Sequence, residues 1–250
     1  MLFNSYGYAI FLPVVFLLYW FIARNNFRWQ NIILLIASFI FYGLWDYRFL
    51  FLLAFSILLD YFTAIKIGNA TTRAGKKKWL FISIFINLGF LVFFKYCNFF
   101  ISSFADLLTS AGLQANTWTL KMILPIGISF YTFHGLSYII DIYNDKAKPA
   151  RNLVDYALFV SFFPLLVAGP IERATHLLPQ VQNPRKFDAA RAIDGLKQIL
   201  WGVFKKIAVA DVCAQFANEI FNSPNQSGST LAIGAVFFAF QIYGDFSGYS

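Results

Sequence analysis

One stretch limits the fold more than any other: a lipid-grade apolar run that cannot stay helical. From Phe159 the chain reads Phe-Val-Ser-Phe-Phe-Pro164-Leu-Leu-Val-Ala, then Gly169-Pro170, then Ile-Glu172-Arg173. A proline removes a backbone donor and clashes with the turn before it. The residue ahead of it is pushed away from helical geometry. In a bilayer, backbone groups freed in this way must be satisfied by protein or by a water-filled cavity. Tyr156–Pro170 therefore reads as a broken, re-entrant segment lining a cavity, with Gly169 and Pro170 at the break. Glu172, Arg173 and His176 follow at its mouth.

The rest of the chain supports a membrane setting. Hydrophobic residues make up 59% and charged residues 13%, against roughly 25% charged in a soluble domain. Apolar runs cover Tyr6–Ala23, Trp29–Trp45, Phe49–Ile65, Trp79–Phe94, Met122–Ile140 and Thr230–Tyr243, with Asp60 the one charge among them; they run from 14 to 19 residues, and a span needs ~20, fewer where the bilayer thins. Asn98–Leu113 has helical spacing with a polar face and reads as a separate helix at the outer interface. Phe187–Asn218 reads as one long helix, with Lys205 and Lys206 snorkelling near its middle. The expected fold class is an all-α polytopic membrane protein. It has about six transmembrane helices, a re-entrant segment and an interfacial helix, in one transmembrane region over residues 1–250. The first run lacks the basic start and cleavage site of a secretory signal and reads as a retained anchor.

Loop charge gives the orientation, because Lys and Arg collect on the cytoplasmic side. The first loop carries Arg24 and Arg28, the second Arg48, and the third Lys66, Arg73, Lys76, Lys77 and Lys78. The first and third loops are then cytoplasmic and the N-terminus is outside. A full crossing by Tyr156–Ile171 would carry the seven cations between Arg173 and Lys206 outward, against the same rule. A re-entrant path removes the conflict. The net charge of +8 fits basic loops on an anionic leaflet rather than nucleic acid. Cys97 and Cys213 stand far apart, without metal-type spacing, and read as inert thiols.

Several residues carry chemistry. His134 lies inside the fifth run, with Tyr131 and Tyr138 on its helix face. An ionisable group at membrane depth is a candidate functional group, and imidazole is the natural acid/base near neutral pH. The alternative is a neutral ring hydrogen-bonded to a neighbouring helix. Glu172 and His176 are spaced to pair. Arg173 offers a guanidinium fork suited to phosphate or carboxylate, or a clamp on the broken loop. Asp60 and Lys95 need partners or water, since an unpaired buried charge is costly. Asp245 sits in a Gly-Asp-Phe-Ser-Gly string whose glycines suit close helix packing. No metal site is expected.

The run FFPLLVAGPIERATHLLPQ, ending at Gln180, resembles the signature of membrane-bound O-acyltransferases, in the alginate O-acetyltransferase-like branch. Further matching strings occur in the same order: Phe94–Phe100, Leu124–Phe133, Tyr138–Tyr143 and Tyr243–Ser250. Asp60-Tyr61 and Lys95-Tyr96 also match. The resemblance implies O-acetyl transfer to an extracytoplasmic polysaccharide such as alginate or another exopolysaccharide, in a bacterial inner membrane. It implies a thioester donor, acetyl-CoA or an acylated carrier protein, on the cytoplasmic side, a glycan acceptor outside and further subunits of an acetylation system. Tyr131, His134, Gly169, Pro170, Glu172, Arg173 and Asp245 would line the substrate tunnel. Family members run to nearly twice this length, and their catalytic histidine is expected beyond Ser250. This half is therefore expected to be inactive alone. Two other readings suit the same residues: a small-solute transporter or channel, built on broken helices and buried polar groups, and a non-catalytic membrane subunit.

Overall fold

The computed structural model describes residues 3, 5–23, 26–112, 124–167, 169–170 and 172–250. Among them every regular element is helical. The chain forms two compact units. One holds Pro13–Val167 and Ile171–Pro184, and the other Leu2–Leu12, Ala168–Pro170 and Arg185–Ser250.

The chain starts with α1 (Tyr6–Leu17), which carries Pro13 and widens into a π-helical turn over Leu18–Ile22. Arg24, expected in the first loop, lies outside the described residues. Asn26 caps α2 (Phe27–Asp46), its side chain accepting the Arg28 N–H at 2.9 Å. Asp46 then turns extended, with φ −158° and ψ 109°. Its carboxylate accepts the Arg48 N–H at 3.0 Å and the Arg48 guanidinium at 2.6 Å. A short 3-10 turn leads into α3 (Leu50–Asn69).

Thr72 caps α4 (Arg73–Ser110), a single helix of 38 residues. The separate interfacial helix expected over Asn98–Leu113 is not separate: its described part continues α4 without interruption. The link Lys95-Tyr-Cys-Asn98 contains neither glycine nor proline, and a charge changes the preferred surroundings of a helix without breaking its hydrogen bonds. At 1.5 Å per residue α4 is about 57 Å long, well beyond a ~30 Å hydrocarbon core. Lys95 is exposed and lies 5.6 Å over the Tyr96 ring, a cation–π contact in place of a carboxylate partner.

Among the described residues, three continuous stretches are long and apolar enough to cross a membrane: Phe27–Asn69, Arg73–Ser110 and Gly228–Tyr249. The first contains both α2 and α3. Tyr6–Ile22 is apolar but shorter. The fifth run gives α5 (Ile128–Tyr143); Met122, its expected start, lies outside the described residues.

The broken segment forms α6 (Leu153–Ser161), α7 (Phe163–Leu166) and, beyond the break, α8 (Ala174–Gln182). The first interruption comes at Phe162, earlier than Gly169-Pro170. In a continuous helix the Pro164 ring would strike the Val160 carbonyl. The helix stops at Ser161 instead, and Pro164 falls in the first turn of α7, where its missing N–H is harmless. The freed Phe163 N–H is not wasted, since Ser38 Oγ of α2 accepts it at 3.1 Å.

The segment returns to where it began. Asn31, near the start of α2 and 1% exposed, donates to Asp155 Oδ1 at 2.8 Å and to the Val181 carbonyl at 2.9 Å. One amide thus holds the beginning of α6 and the end of α8 together. With nine residues, α6 reaches about 14 Å, half the ~30 Å core. The basic loops meet at the same end. Lys76 of α4 pairs with Asp145 after α5 at 2.7 Å, and Pro149, three residues before Asn152, packs on Gly68 at the end of α3.

In the second unit, Asp188 caps α9 (Ala189–Phe204), which runs through a π-helical stretch, Lys205–Ala210, into α10 (Asp211–Asn222). This is the long helix expected over Phe187–Asn218. A short loop then returns the chain as α11 (Gly228–Tyr249). Close approach rests on small residues: Gly202 meets the Gly248 backbone, and Gly244 meets Ala210. Lys205 and Lys206 do not snorkel. Lys205 donates to the Ser247 carbonyl and hydroxyl at 2.5 and 2.6 Å. Lys206 pairs with Asp211 and Asp245, each at 2.7 Å. Carboxylates within reach satisfy the ammonium more locally than a stretch to the interface would.

Candidate functional site

The first unit concentrates its buried polar chemistry around α5. His134 has no exposed surface, and its Nε2 accepts the Glu172 N–H at 3.1 Å. In the neutral ring an accepting Nε2 leaves the proton on Nδ1. Phe159 of α6 stands edge-on to the imidazole at 5.9 Å. His134 therefore fastens the exit of the broken segment to α5, and the nitrogen that would serve as a base is already taken by a backbone donor. Tyr131, one turn earlier, is 1% exposed.

Beyond this latch, Glu172 Oε2 meets His176 Nδ1 at 2.8 Å. This is the pair anticipated from their spacing, and it lies on the open side of α8, where the His176 side chain is 69% exposed. Arg173 occupies the cap position of α8 with extended backbone. Its side chain is exposed and makes no hydrogen bond or ion pair with any described residue. Gly169 is half-buried and Pro170 exposed; their neighbours Ala168 and Ile171 lie outside the described residues. In the second unit, Asp245 is held by Lys206.

Gly127 opens α5 in the left-handed region, with φ 77°. A Cβ there would fall on the Leu166 carbonyl. The backbone of α7 therefore rests directly on the start of α5. Tyr42 of α2 closes the same corner by donating its hydroxyl to the Ile126 carbonyl at 3.0 Å.

A second polar centre has Asp60 at its heart, with partners the sequence did not name. Asp60, 1% exposed, accepts from Ser83 Oγ and from Asn87 Nδ2, both at 2.7 Å on Oδ1. Ser56 in turn donates to Asn87 Oδ1 at 3.0 Å. Gly135 of α5 leaves the space the Asp60 carboxylate fills, since a Cβ would land on Oδ2. Tyr156 of α6 completes the wall beside Tyr138, their ring centroids 4.5 Å apart, and the Tyr138 hydroxyl accepts the Ala150 N–H at 2.9 Å. One carboxylate thus joins α3 to α4 and sets the distance to α5. The available signal was a set of isolated polar residues, Asp60, Ser83 and Asn87, each inside an apolar run. Among the described residues no group of His, Cys, Asp or Glu side chains gathers as a metal site would.

Long apolar helices around buried polar centres, with a broken segment whose two ends meet at Asn31, mark a helical membrane protein. Its relatives say more. The chain is 38% identical over 242 residues to the probable alginate O-acetylase AlgI of Pseudomonas aeruginosa, covering 96% of this chain and 46% of that protein. The corresponding protein of Azotobacter vinelandii is 37% identical over 242 residues, with 96% and 48% covered. A peptidoglycan O-acetyltransferase of Helicobacter pylori is 34% identical over 268 aligned positions, covering 96% of this chain and half of that protein. The chain is homologous to the alginate O-acetylases, as its motifs implied, and is an O-acyltransferase-like membrane protein. It spans about half the length of the curated relatives it matches. No protein-family model matches it.

Proposed function

We propose that this chain forms the donor-side half of a membrane O-acyltransferase that moves an acetyl group onto an extracytoplasmic polysaccharide. The donor is a thioester, acetyl-CoA or an acylated carrier protein, arriving on the cytoplasmic face. The acceptor is a glycan hydroxyl outside, of alginate or another exopolysaccharide, and further subunits complete the system in a bacterial inner membrane. The spans number about six, with the N-terminus outside. The observation that carries this reading is the returning segment of α6, α7 and α8. Basic loops gather at its open end, and homology to O-acetylases spans nearly the whole chain. A short segment that turns back inside the bilayer thins the barrier between a cytoplasmic donor and an outer acceptor.

In this reading His134 is a positioning residue. It holds Glu172 and the start of α8 in place, and the hydroxyl of the acceptor is activated by a base elsewhere. The test is transfer of labelled acetyl groups to polysaccharide by membranes that express this chain together with the other half of the acyltransferase, with thermal unfolding measured alongside. His134→Ala orphans the half-buried Glu172 N–H and opens a cavity. It is expected to cost about 2–4 kcal/mol and to lose activity with stability. His134→Gln restores an acceptor and should recover most of both. A His134→Gln protein of normal stability that had lost transfer a thousandfold or more would make His134 the catalyst. Membranes that move a solute but transfer no acetyl group would overturn the acyltransferase reading itself.

A further inference from the structure

A cleft of about 480 Å³ opens beside the Asn31 junction. It is lined by Phe27, Arg28, Asn31 and Ile32 of α2, Val154 and Asp155 of α6, and by Arg151, Asn152 and Gln182. None of the residues singled out from the sequence as tunnel-lining belongs to it. Its electrostatics are unusual. Asp155 is the one carboxylate among the lining residues, and both of its oxygens are engaged by amides. Asn31 Nδ2 donates to Oδ1 at 2.8 Å and Asn152 Nδ2 to Oδ2 at 2.9 Å. Asp155 is 4% exposed and forms no ion pair with either guanidinium. Arg28 and Arg151 are exposed and form no ion pair with any described residue. Each is fixed next to a helix start, α2 after Asn26 and α6 after Asn152, where free N–H groups and the helix dipole add positive potential. Two such guanidinium forks at one cleft suit a phosphate oxyanion, because the fork matches phosphate geometry.

We infer that this cleft binds a phosphate ester, through Arg28 and Arg151, at the open end of the returning segment. It rests on the reading of that end as the donor side, and it names what is recognised there: the phosphates of the donor rather than its acyl group. The same chemistry would suit an anionic lipid headgroup, and the experiment separates the two sources.

Binding is measured on the detergent-purified protein, which requires no turnover. The probes are coenzyme A and inorganic pyrophosphate, and, in nanodiscs, phosphatidylglycerol against phosphatidylcholine. The expected result is saturable coenzyme A binding that weakens about tenfold or more in Arg28→Gln and in Arg151→Gln, and less in the Arg→Lys variants, which keep charge but lose the fork. Pyrophosphate should compete, and added salt should weaken binding. The unfolding temperature of the variants should not move, since both side chains are exposed. Dependence of phosphatidylglycerol binding on both arginines, with none for coenzyme A, assigns the cleft to a lipid phosphate. Coenzyme A binding that is absent or unchanged in the variants, with no arginine-dependent lipid binding, overturns the proposal. That outcome leaves acetyl transfer by the same membranes as a separate result, so the two readings fail independently.

Discussion

Gly127→Ala is expected to cripple the fold, at a cost of about 4 kcal/mol. Two effects combine at one atom. The residue opens α5 with φ 77°, a conformation that costs an L side chain about 1–3 kcal/mol where nothing compensates. The new methyl would also fall on the Leu166 carbonyl, and displacing packed backbone adds about 1–3 kcal/mol. The measurement is thermal unfolding of the purified protein, with Gly89→Ala as control, because a Cβ at Gly89 meets nothing within 4 Å. The control should be neutral or slightly stabilising, since alanine is the better helix former. Equal behaviour of the two variants would mean that α7 does not rest on Gly127.

Asp60→Ala is expected to cost about 3 kcal/mol. It strands the Ser83 hydroxyl and part of the Asn87 amide in an apolar interior, at about 1–3 kcal/mol for each unsatisfied group. Asn87 keeps a bond to the Ser83 carbonyl at 3.1 Å, which limits the loss. Asp60→Asn keeps an oxygen where both donors point and should cost less than Asp60→Ala. Gly135→Ala should be as harmful as Asp60→Ala, because it intrudes on the carboxylate from the other side. If Asp60→Ala unfolds at the wild-type temperature, Asp60 does not organise α3, α4 and α5.

Much of this architecture was legible because bilayers leave few choices. Apolar runs of near-spanning length gave α2, α3, α4 and α11, and loop cations gave their grouping, which the Lys76–Asp145 pair and the Asn31 junction now support in three dimensions. The broken segment was legible from Pro164, although its first interruption sits at Phe162, because a proline acts on the turn that precedes it. The continuity of α4 was not legible. Lys95 and the polar face after Asn98 mark a change of environment, and the backbone ignores such a change unless a breaker enforces it. The partners of Asp60, and the roles of Gly127 and Gly135, depend on helices far apart in sequence, and no local pattern encodes which faces meet. His134 was legible as a buried polar group; its bond to the Glu172 N–H was not, since it depends on how far the chain returns after the break.

The central claim is that residues 153–182 enter and return to the same side. Single-cysteine accessibility tests it most directly, in a background with Cys97 and Cys213 replaced by serine. Ala74→Cys, exposed in the first turn of α4, serves as the cytoplasmic reference; Gly75 is less suitable, because its N–H binds the Thr72 cap. Asn183→Cys reports the residue after α8. Both should resist a membrane-impermeant thiol reagent in intact cells and react fully once the membrane is opened. Labelling of Asn183→Cys from outside, with Ala74→Cys protected, would mean that the segment crosses, and would remove Arg28, Arg151 and Arg173 from a common donor face.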